Sequence, residues 1–244
     1  MALQQELSVA LLLFDIDGTL IRPMGVGRRA FERALGELYA GRSRQPFPFD
    51  GLLDTQIALK TLVAMGIEPT ARAVEDLLAL YIRRLKDERP PNPEEHLCPG
   101  VAALLASAPS RGHDLALLTG NVSQGALLKL AFMGLDGHFR AGREGGDLLG
   151  AFGEDAQARA GLVPVAVARC ERAFGKRFPP ERTWLVGDSP RDVEAARGAG
   201  VRCAAVATGL TEPSVLQALK PDLFLLDLSD PAPLWAALNQ GTPA

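Results

Sequence analysis

Cysteine is scarce in this chain. Cys98, Cys170 and Cys203 are the three among 244 residues, and they stand far apart. A dispersed odd set forms neither a CxxC pair nor an even disulfide framework. That excludes a cysteine-based zinc site and points to reduced thiols in a cytoplasmic protein. Histidine is equally rare. His96, His113 and His138 do not fall at metal-ligand spacing, so surface or capping positions are expected of them. Membrane-length apolar runs are missing too. The run at residues 9–14 is far shorter than a span and stops at an acid. Residues 1–8 carry Gln4, Gln5 and Glu6 with no basic side chain, so no secretory leader is expected there. Nor is there a basic excess: 26 Lys and Arg meet 29 Asp and Glu, for a net charge of −3. That speaks against a nucleic-acid backbone as partner. The basic stretch at residues 169–182 is interrupted by Glu171 and Glu181 and reads as a solvated helix and loop.

What is present is ordinary for a folded chain, with 47% hydrophobic and 23% charged residues. The length allows one large domain, or a core carrying a smaller insertion. Short unbroken apolar runs occur at 9–14, 115–118, 184–186, 203–207 and 223–226. They have strand length and no polar alternation, the pattern of parallel strands covered on both faces. Stretches with helical spacing lie between and after them, at 101–108, 123–133, 163–174, 192–199 and 212–219. The alternation predicts an α/β fold around a parallel sheet. Residues 22–95 break the rule. Helical stretches at 27–40, 55–65 and 70–86 follow one another without a strand, and the segment closes on Arg89-Pro90-Pro91-Asn92-Pro93. The expectation is a helical insertion at 22–95 after the first strand, with 1–21 and 96–244 forming the core.

Open parallel sheets bind ligands at the carboxyl ends of their strands. Three such ends are polar here. The first reads Asp15-Ile16-Asp17-Gly18-Thr19. Strand side chains repeat every second residue, so Asp15 and Asp17 point the same way. Like charges placed together call for a cation or a shared proton, and Mg²⁺ is a hard cation that takes oxygen ligands. The second end reads Thr119-Gly120-Asn121 and precedes a helix. A hydroxyl and free amides there form either a phosphate seat or a plain cap and turn. The third reads Gly187-Asp188-Ser189-Pro190-Arg191-Asp192. Its two acids either complete an oxygen shell with the first pair or complement a helix dipole.

These three segments, in this order, resemble motifs one, two and four of the haloacid dehalogenase (HAD) superfamily. The likeness runs from about residue 9 to the last strand, and the insertion resembles the type-one helical cap of phosphoglycolate phosphatase-like members. The resemblance implies a Rossmann-like core and Mg²⁺-dependent phosphoryl transfer on a small phosphorylated metabolite. On that likeness, Asp15 attacks phosphorus and becomes an aspartyl-phosphate. Asp17 protonates the leaving alkoxide and then activates water. Asp15, the main-chain carbonyl of Asp17, and Asp188 hold the metal, and Asp192 orients a metal-bound water or a neighbouring cation. Thr119, Gly120 and Asn121, with Gly18 and Thr19, hold the transferring phosphoryl group.

The third-motif lysine of the family is missing, since no lysine lies between Lys129 and Lys176. Arg159 stands nearest the expected place. It either offsets the charges of Asp15 and phosphate or is a surface helix residue. Lys129, in Leu127-Leu128-Lys129-Leu130, is expected on a solvated face. Asp17 favours a phosphatase or phosphomutase over a dehalogenase, because halide leaves without a proton. A phosphatase is the expected activity. A phosphomutase on the same scaffold and a phosphometabolite-binding protein with weakened turnover stand as alternatives.

Other features carry less. Gly25-Val26-Gly27-Arg28-Arg29-Ala30 fits a dinucleotide fingerprint but does not follow a strand directly, so it reads as a flexible lead into the insertion. Arg22, Arg28 and Arg29 either reach a substrate anion or line a solvated face. Leu52 and Leu53 either face the site, favouring a less polar substrate, or pack inside the insertion. Substrate identity and oligomeric state are open at this stage.

Overall fold

The computed structural model describes residues 9–44, 47–49, 51–141 and 146–239. The leader expectation for residues 1–8 lies outside the described residues. Strand β1 (Leu11–Phe14) opens the fold. Three helices follow it: α1 (Val26–Leu38), α2 (Asp54–Ala64) and α3 (Ala71–Leu85). Helix α4 (Val101–Ser107) then leads to β2 (Asp114–Leu118), α5 (Ser123–Phe132) and the two-residue β3 (Gly150–Ala151). The second half runs α6 (Arg159–Phe174), β4 (Thr183–Gly187), α7 (Pro190–Ala199), β5 (Arg202–Val206), α8 (Pro213–Ala218), β6 (Leu223–Leu225) and α9 (Ala232–Asn239).

The strands form one sheet of order β3-β2-β1-β4-β5-β6, with every neighbouring pair parallel. Phe14 registers with Leu117 on one side and Val186 on the other, so the three polar strand ends emerge level with one another. The chain winds outward from β1 to β3, then restarts on the opposite side at β4. Such a reversal of strand order opens a crevice for ligands.

Each apolar run serves two cores, because successive strand side chains point to opposite faces. Leu12, Phe14, Leu117 and Val186 pack on α4, α5 and α9. Leu11, Leu13, Ala116 and Leu185 pack on α6 and α7. A third cluster belongs to α1–α3, where Phe31, Leu62, Leu77 and Leu85 meet. The two segments that lead into and out of that helical layer pair with each other: Arg22 N–H donates to His96 O at 2.8 Å, and Cys98 N–H to Leu20 O at 3.0 Å.

The sequence pattern misses β3, which has too few residues to show a period. It also starts α6 late, at 163, where the apolar spacing becomes helical. The helix begins at Arg159 and carries Pro164 inside. His113 is buried. Its Nδ1 accepts from Ala10 N–H at 3.2 Å and its ring stacks on Trp235.

Candidate active site

Asp15 continues β1, its N–H donating to Val186 O at 3.0 Å. Its carboxylate is buried at the sheet's reversal point. Arg159, the first residue of α6, is also buried rather than on the surface. Its Nη2 lies 2.9 Å from Asp15 Oδ2 and 2.6 Å from Asp192 Oδ1. Its Nε donates to the same Asp192 oxygen at 2.8 Å. Nη2 itself has no aligned hydrogen-bond acceptor among the described residues. One face of a buried guanidinium is therefore left with hydrogen-bonding capacity beside Asp15.

Asp192 is fully committed. Its second oxygen accepts from Ser189 N–H at 3.0 Å and Ser189 Oγ at 2.6 Å, closing a capping box at the start of α7. Asp188 is held differently. Thr19 Oγ1 donates to its Oδ1 at 2.9 Å, so the Thr19 hydroxyl is turned to this carboxylate. Two backbones close on it: a Cβ on Gly18, which has φ +89°, would sit 2.3 Å from Oδ2, and one on Gly209 would sit 1.7 Å away.

The result is three buried carboxylates, Asp15, Asp188 and Asp192, whose oxygens lie within 4.8 Å of one another. Burial raises the Asp15 carboxyl to about 6; Arg159 opposes this, while Asp192 and Asp17 add to it. Asp188 is raised well above the usual carboxylate range, by burial first and then by Asp15 and Asp192. One arginine does not balance this cluster. An all-oxygen donor set with excess negative charge fits a hard divalent cation such as Mg²⁺.

Asp17 lies apart from that cluster. Its carboxylate faces the cavity, with 44% of the side chain exposed. Oδ2 accepts from Asn121 Nδ2 at 2.8 Å and from Lys129 Nζ at 2.5 Å. Only its main-chain carbonyl is left for the metal role expected of it. Its protein surroundings push this carboxyl up, but Lys129 and Asn121 outweigh them and the net direction is down. Asn121 Nδ2 also donates to Thr119 Oγ1 at 2.9 Å, which joins the second strand end to the first.

Lys129 corrects the sequence expectation. It is buried, not solvated, and Nζ donates to Asn121 Oδ1 at 2.7 Å as well as to Asp17. The helical layer covers this stretch of α5 and removes it from water. The signal was present in the sequence as one charge inside an apolar helix, two turns beyond Asn121 on the same face.

The far wall of the site comes from the loop that leads into α2. Asp54 N–H donates to Gly120 O at 2.7 Å, and Asp54 Oδ2 accepts from Val122 N–H at 3.0 Å. Thr55 Oγ1 donates to Gly153 O at 2.8 Å. The approach is close, since a Cβ on Gly120 would lie 2.3 Å from Leu52 O. Burial raises the Asp54 carboxyl to about 6, against Lys129 and the Val122 amide. Sequence reasoning reached this turn, Gly51-Leu52-Leu53-Asp54, through its resemblance to the specificity turn of the type-one cap, but assigned Asp54 no role. Leu52 and Leu53 divide between the two expectations: Leu52 lines the cavity, and Leu53 packs into the sheet's own core. Arg28 reaches the cavity and lies over the Phe49 ring at 4.2 Å, whereas Arg29 pairs with Glu88.

The cavity, open on one side to solvent, has a volume of about 270 Å³. Asp15, Asp17, Asn121 and Arg159 form its polar floor, and Phe31, Phe49, Leu52 and Ile57 form much of its roof. Among the described residues, no helix is long and apolar enough to cross a membrane.

A parallel sheet with acids at aligned strand ends, under a helical roof, defines an α/β enzyme with a HAD-like fold. The haloacid dehalogenase-like hydrolase family profile matches residues 9–200, and the chain belongs to that family. A phosphoglycolate phosphatase of Caulobacter vibrioides is 28% identical over 256 residues, covering 100% of this chain and 98% of that one. A phosphoglycolate phosphatase of Synechococcus elongatus is 31% identical over 226 residues, covering 90% and 93%. The solved structure of β-phosphoglucomutase from Clostridium difficile aligns with a TM-score of 0.67 at 14% identity, over 95% and 98% of the two chains. The sequence relatives place this enzyme among HAD-family phosphatases.

Proposed function

We propose that the protein hydrolyses a small-molecule phosphomonoester in two steps through Asp15. The observation that carries this reading is the division of labour between the two acids of the first strand end. Asp15 is buried against Arg159 in the three-acid cluster, and Asp17 faces the cavity beside the second strand end. In the first step an Asp15 oxygen bonds to phosphorus and the ester P–O bond breaks. Asp17 gives the departing alkoxide a proton, the one it takes from water in the second step of the preceding turnover. In the second step Asp17 takes a proton from water, whose oxygen bonds to phosphorus, releasing inorganic phosphate and Asp15.

In this reading Thr119 Oγ1, the Gly120 amide and Nη2 of Arg159 receive the phosphoryl oxygens, and the Asn121 amide, which donates to Thr119 Oγ1 at 3.3 Å, serves through that hydroxyl. Arg159 thus takes the part of the family lysine, as a cation that does not lose its proton. Asp15, Asp188 and the Asp17 carbonyl would hold Mg²⁺, which supplies charge neutralisation for the phosphoryl oxygens. Asp192 serves the site through Arg159, and Thr19 serves it through Asp188. Residues 22–95 act as a cap over a core of 1–21 and 96–244. The paired crossings near Ile21 and Leu97 support that division. The buried free thiols Cys98, Cys170 and Cys203 support a cytoplasmic setting.

The test is phosphate release across a panel of phosphorylated metabolites, with Mg²⁺ and with a chelator. Turnover is expected with the metal and not with the chelator. Asp15→Asn is expected to lower turnover on the order of 10⁴-fold or more. Undiminished turnover in that variant sinks the reading.

A further inference from the structure

We infer that Lys129 is a positioning residue for Asp17, fixing which carboxylate oxygen meets the leaving group. The inference rests on the acid–base role proposed for Asp17. Lys129 Nζ and Asn121 Nδ2 donate to the same oxygen, Oδ2, at 2.5 and 2.8 Å. With that oxygen held by two donors, Oδ1 is the one left to exchange a proton in the cavity. The donors are themselves tied together, because Lys129 also donates to Asn121 Oδ1 at 2.7 Å. Carboxylate, amide and ammonium therefore close a triangle of hydrogen bonds.

The setting argues that this is more than a surface ion pair. The Lys129 side chain is 7% exposed, against 44% for Asp17. Its neighbours on α5, Ala126 and Leu130, are buried in the sheet's core, so the helix backbone that carries it is anchored. The ammonium is enclosed from the helical layer as well. A Cβ on Gly27 would lie 3.3 Å from Lys129 Nζ and 3.4 Å from the Tyr81 hydroxyl. A buried ammonium carries a desolvation penalty, and an apolar side chain would fill the space without it. What an apolar side chain does not do is orient a carboxylate. Asp17 sits on a loop beyond the end of β1 and faces open space, so its side chain depends on partners for direction. A misplacement of about 1 Å in a catalytic group costs on the order of 10²-fold in rate.

The consequence is selective. When the ester bond breaks, the electron pair stays on the departing oxygen and a proton moves to it from Asp17 Oδ1. Poor leaving groups need that proton, and good ones leave with little help. Loss of Lys129 should therefore damage turnover of phenyl phosphate far more than that of p-nitrophenyl phosphate, two substrates of similar shape.

The experiment measures kcat/KM for both substrates in the wild type, Lys129→Met, Lys129→Gln and Lys129→Arg. The ratio between substrates is taken within each protein, so the folded fraction cancels. In Lys129→Met the expected falls are about 100-fold for phenyl phosphate and less than about tenfold for p-nitrophenyl phosphate. Lys129→Arg is expected to recover part of the difference. Where the methionine variant does not fold, Lys129→Gln gives the same readout, since an amide lacks the charge and the reach. An equal fall for both substrates, or none, overturns the inference. Asp15→Asn separates the two claims: if it keeps wild-type turnover the nucleophile reading fails whatever Lys129 does. If it is inactive and the Lys129 variants keep the wild-type ratio, only the positioning role fails.

Discussion

The two walls of the cavity are built by different means. On the sheet side, the acids emerge from strands buried on both faces, and almost every polar atom has a fixed partner. Asp192 illustrates this, with four contacts from Arg159 and Ser189 on its two oxygens. On the helical side, Phe31, Phe49, Leu52 and Ile57 offer shape and apolar surface, with Arg28 resting on a ring. A hydrogen-bonded lattice fixes atoms to a fraction of an ångström, as phosphoryl transfer requires. An apolar roof fixes only volume, which tolerates exchange of side chains. The floor is thus suited to holding one chemistry constant, and the roof to changing what is accepted.

That contrast sets an order of expected effects. The largest belongs to Arg159. Arg159→Ala removes the partner of both Asp15 and Asp192, leaving buried charges uncompensated. A loss of about 3–5 kcal/mol in stability is expected, together with a fall in kcat on the order of 10²–10³-fold. Denaturant unfolding and steady-state phosphate release check both. Stability within error of wild type would show that the floor is not the lattice described.

Next comes the seam between the walls. Gly120→Ala puts a methyl group where Leu52 O now lies, 2.3 Å away. The loop at 51–54 must lift, and kcat/KM is expected to fall on the order of 10²-fold while the core keeps its stability. A change confined to thermal stability would remove the seam from the functional account.

A smaller effect is expected in the roof. Leu52→Asn alters the cavity wall without touching the acids, so the ranking of substrates in the metabolite panel should change by about tenfold or less between neighbours. Any loss of activity common to all substrates would count against a roof role.

The smallest lies far from the cavity. Burial holds the His113 imidazole down at about 4, with Arg182 and Arg111 adding to the effect. Between the ordinary 6.5 and about 4, the unfolded chain binds a proton that the folded chain does not. Stability is therefore lost as pH falls through that window. His113→Asn keeps an acceptor for the Ala10 amide but does not titrate. Its Tm should fall less than that of wild type between pH 6.5 and pH 4, a difference that grows as pH falls. Parallel Tm profiles would show that His113 contributes nothing to acid sensitivity.

The strand ends were legible in the sequence because a short covered strand leaves a distinctive trace: an unbroken apolar run followed at once by acids. Asp15, Asp17, Asp188 and Asp192 were readable as one group of acids, and the structure separates the Asp17 carboxylate from the other three. Arg159 was readable only by its place relative to a missing lysine, and its contacts with Asp15 and Asp192 came from the structure. Lys129 was misjudged, and Asp54 was given no role. A mid-helix lysine and an aspartate in a helix's first turn are common on surfaces, and the one local sign here, a single charge inside an apolar helix, does not say which layer will cover it.

Sequence alone determined the parallel sheet, the run of helices after its first strand and the acids that follow its strands, since each leaves a local period or a run of like residues. The tertiary structure decided which charges lose water. Lys129 becomes a buried partner of Asp17 because helices that end 44 or more residues before it fold over α5, with Tyr81 and Ile82 of α3 standing against that helix. Desolvation depends on what arrives from elsewhere in the chain, and no local pattern of residues encodes that arrival.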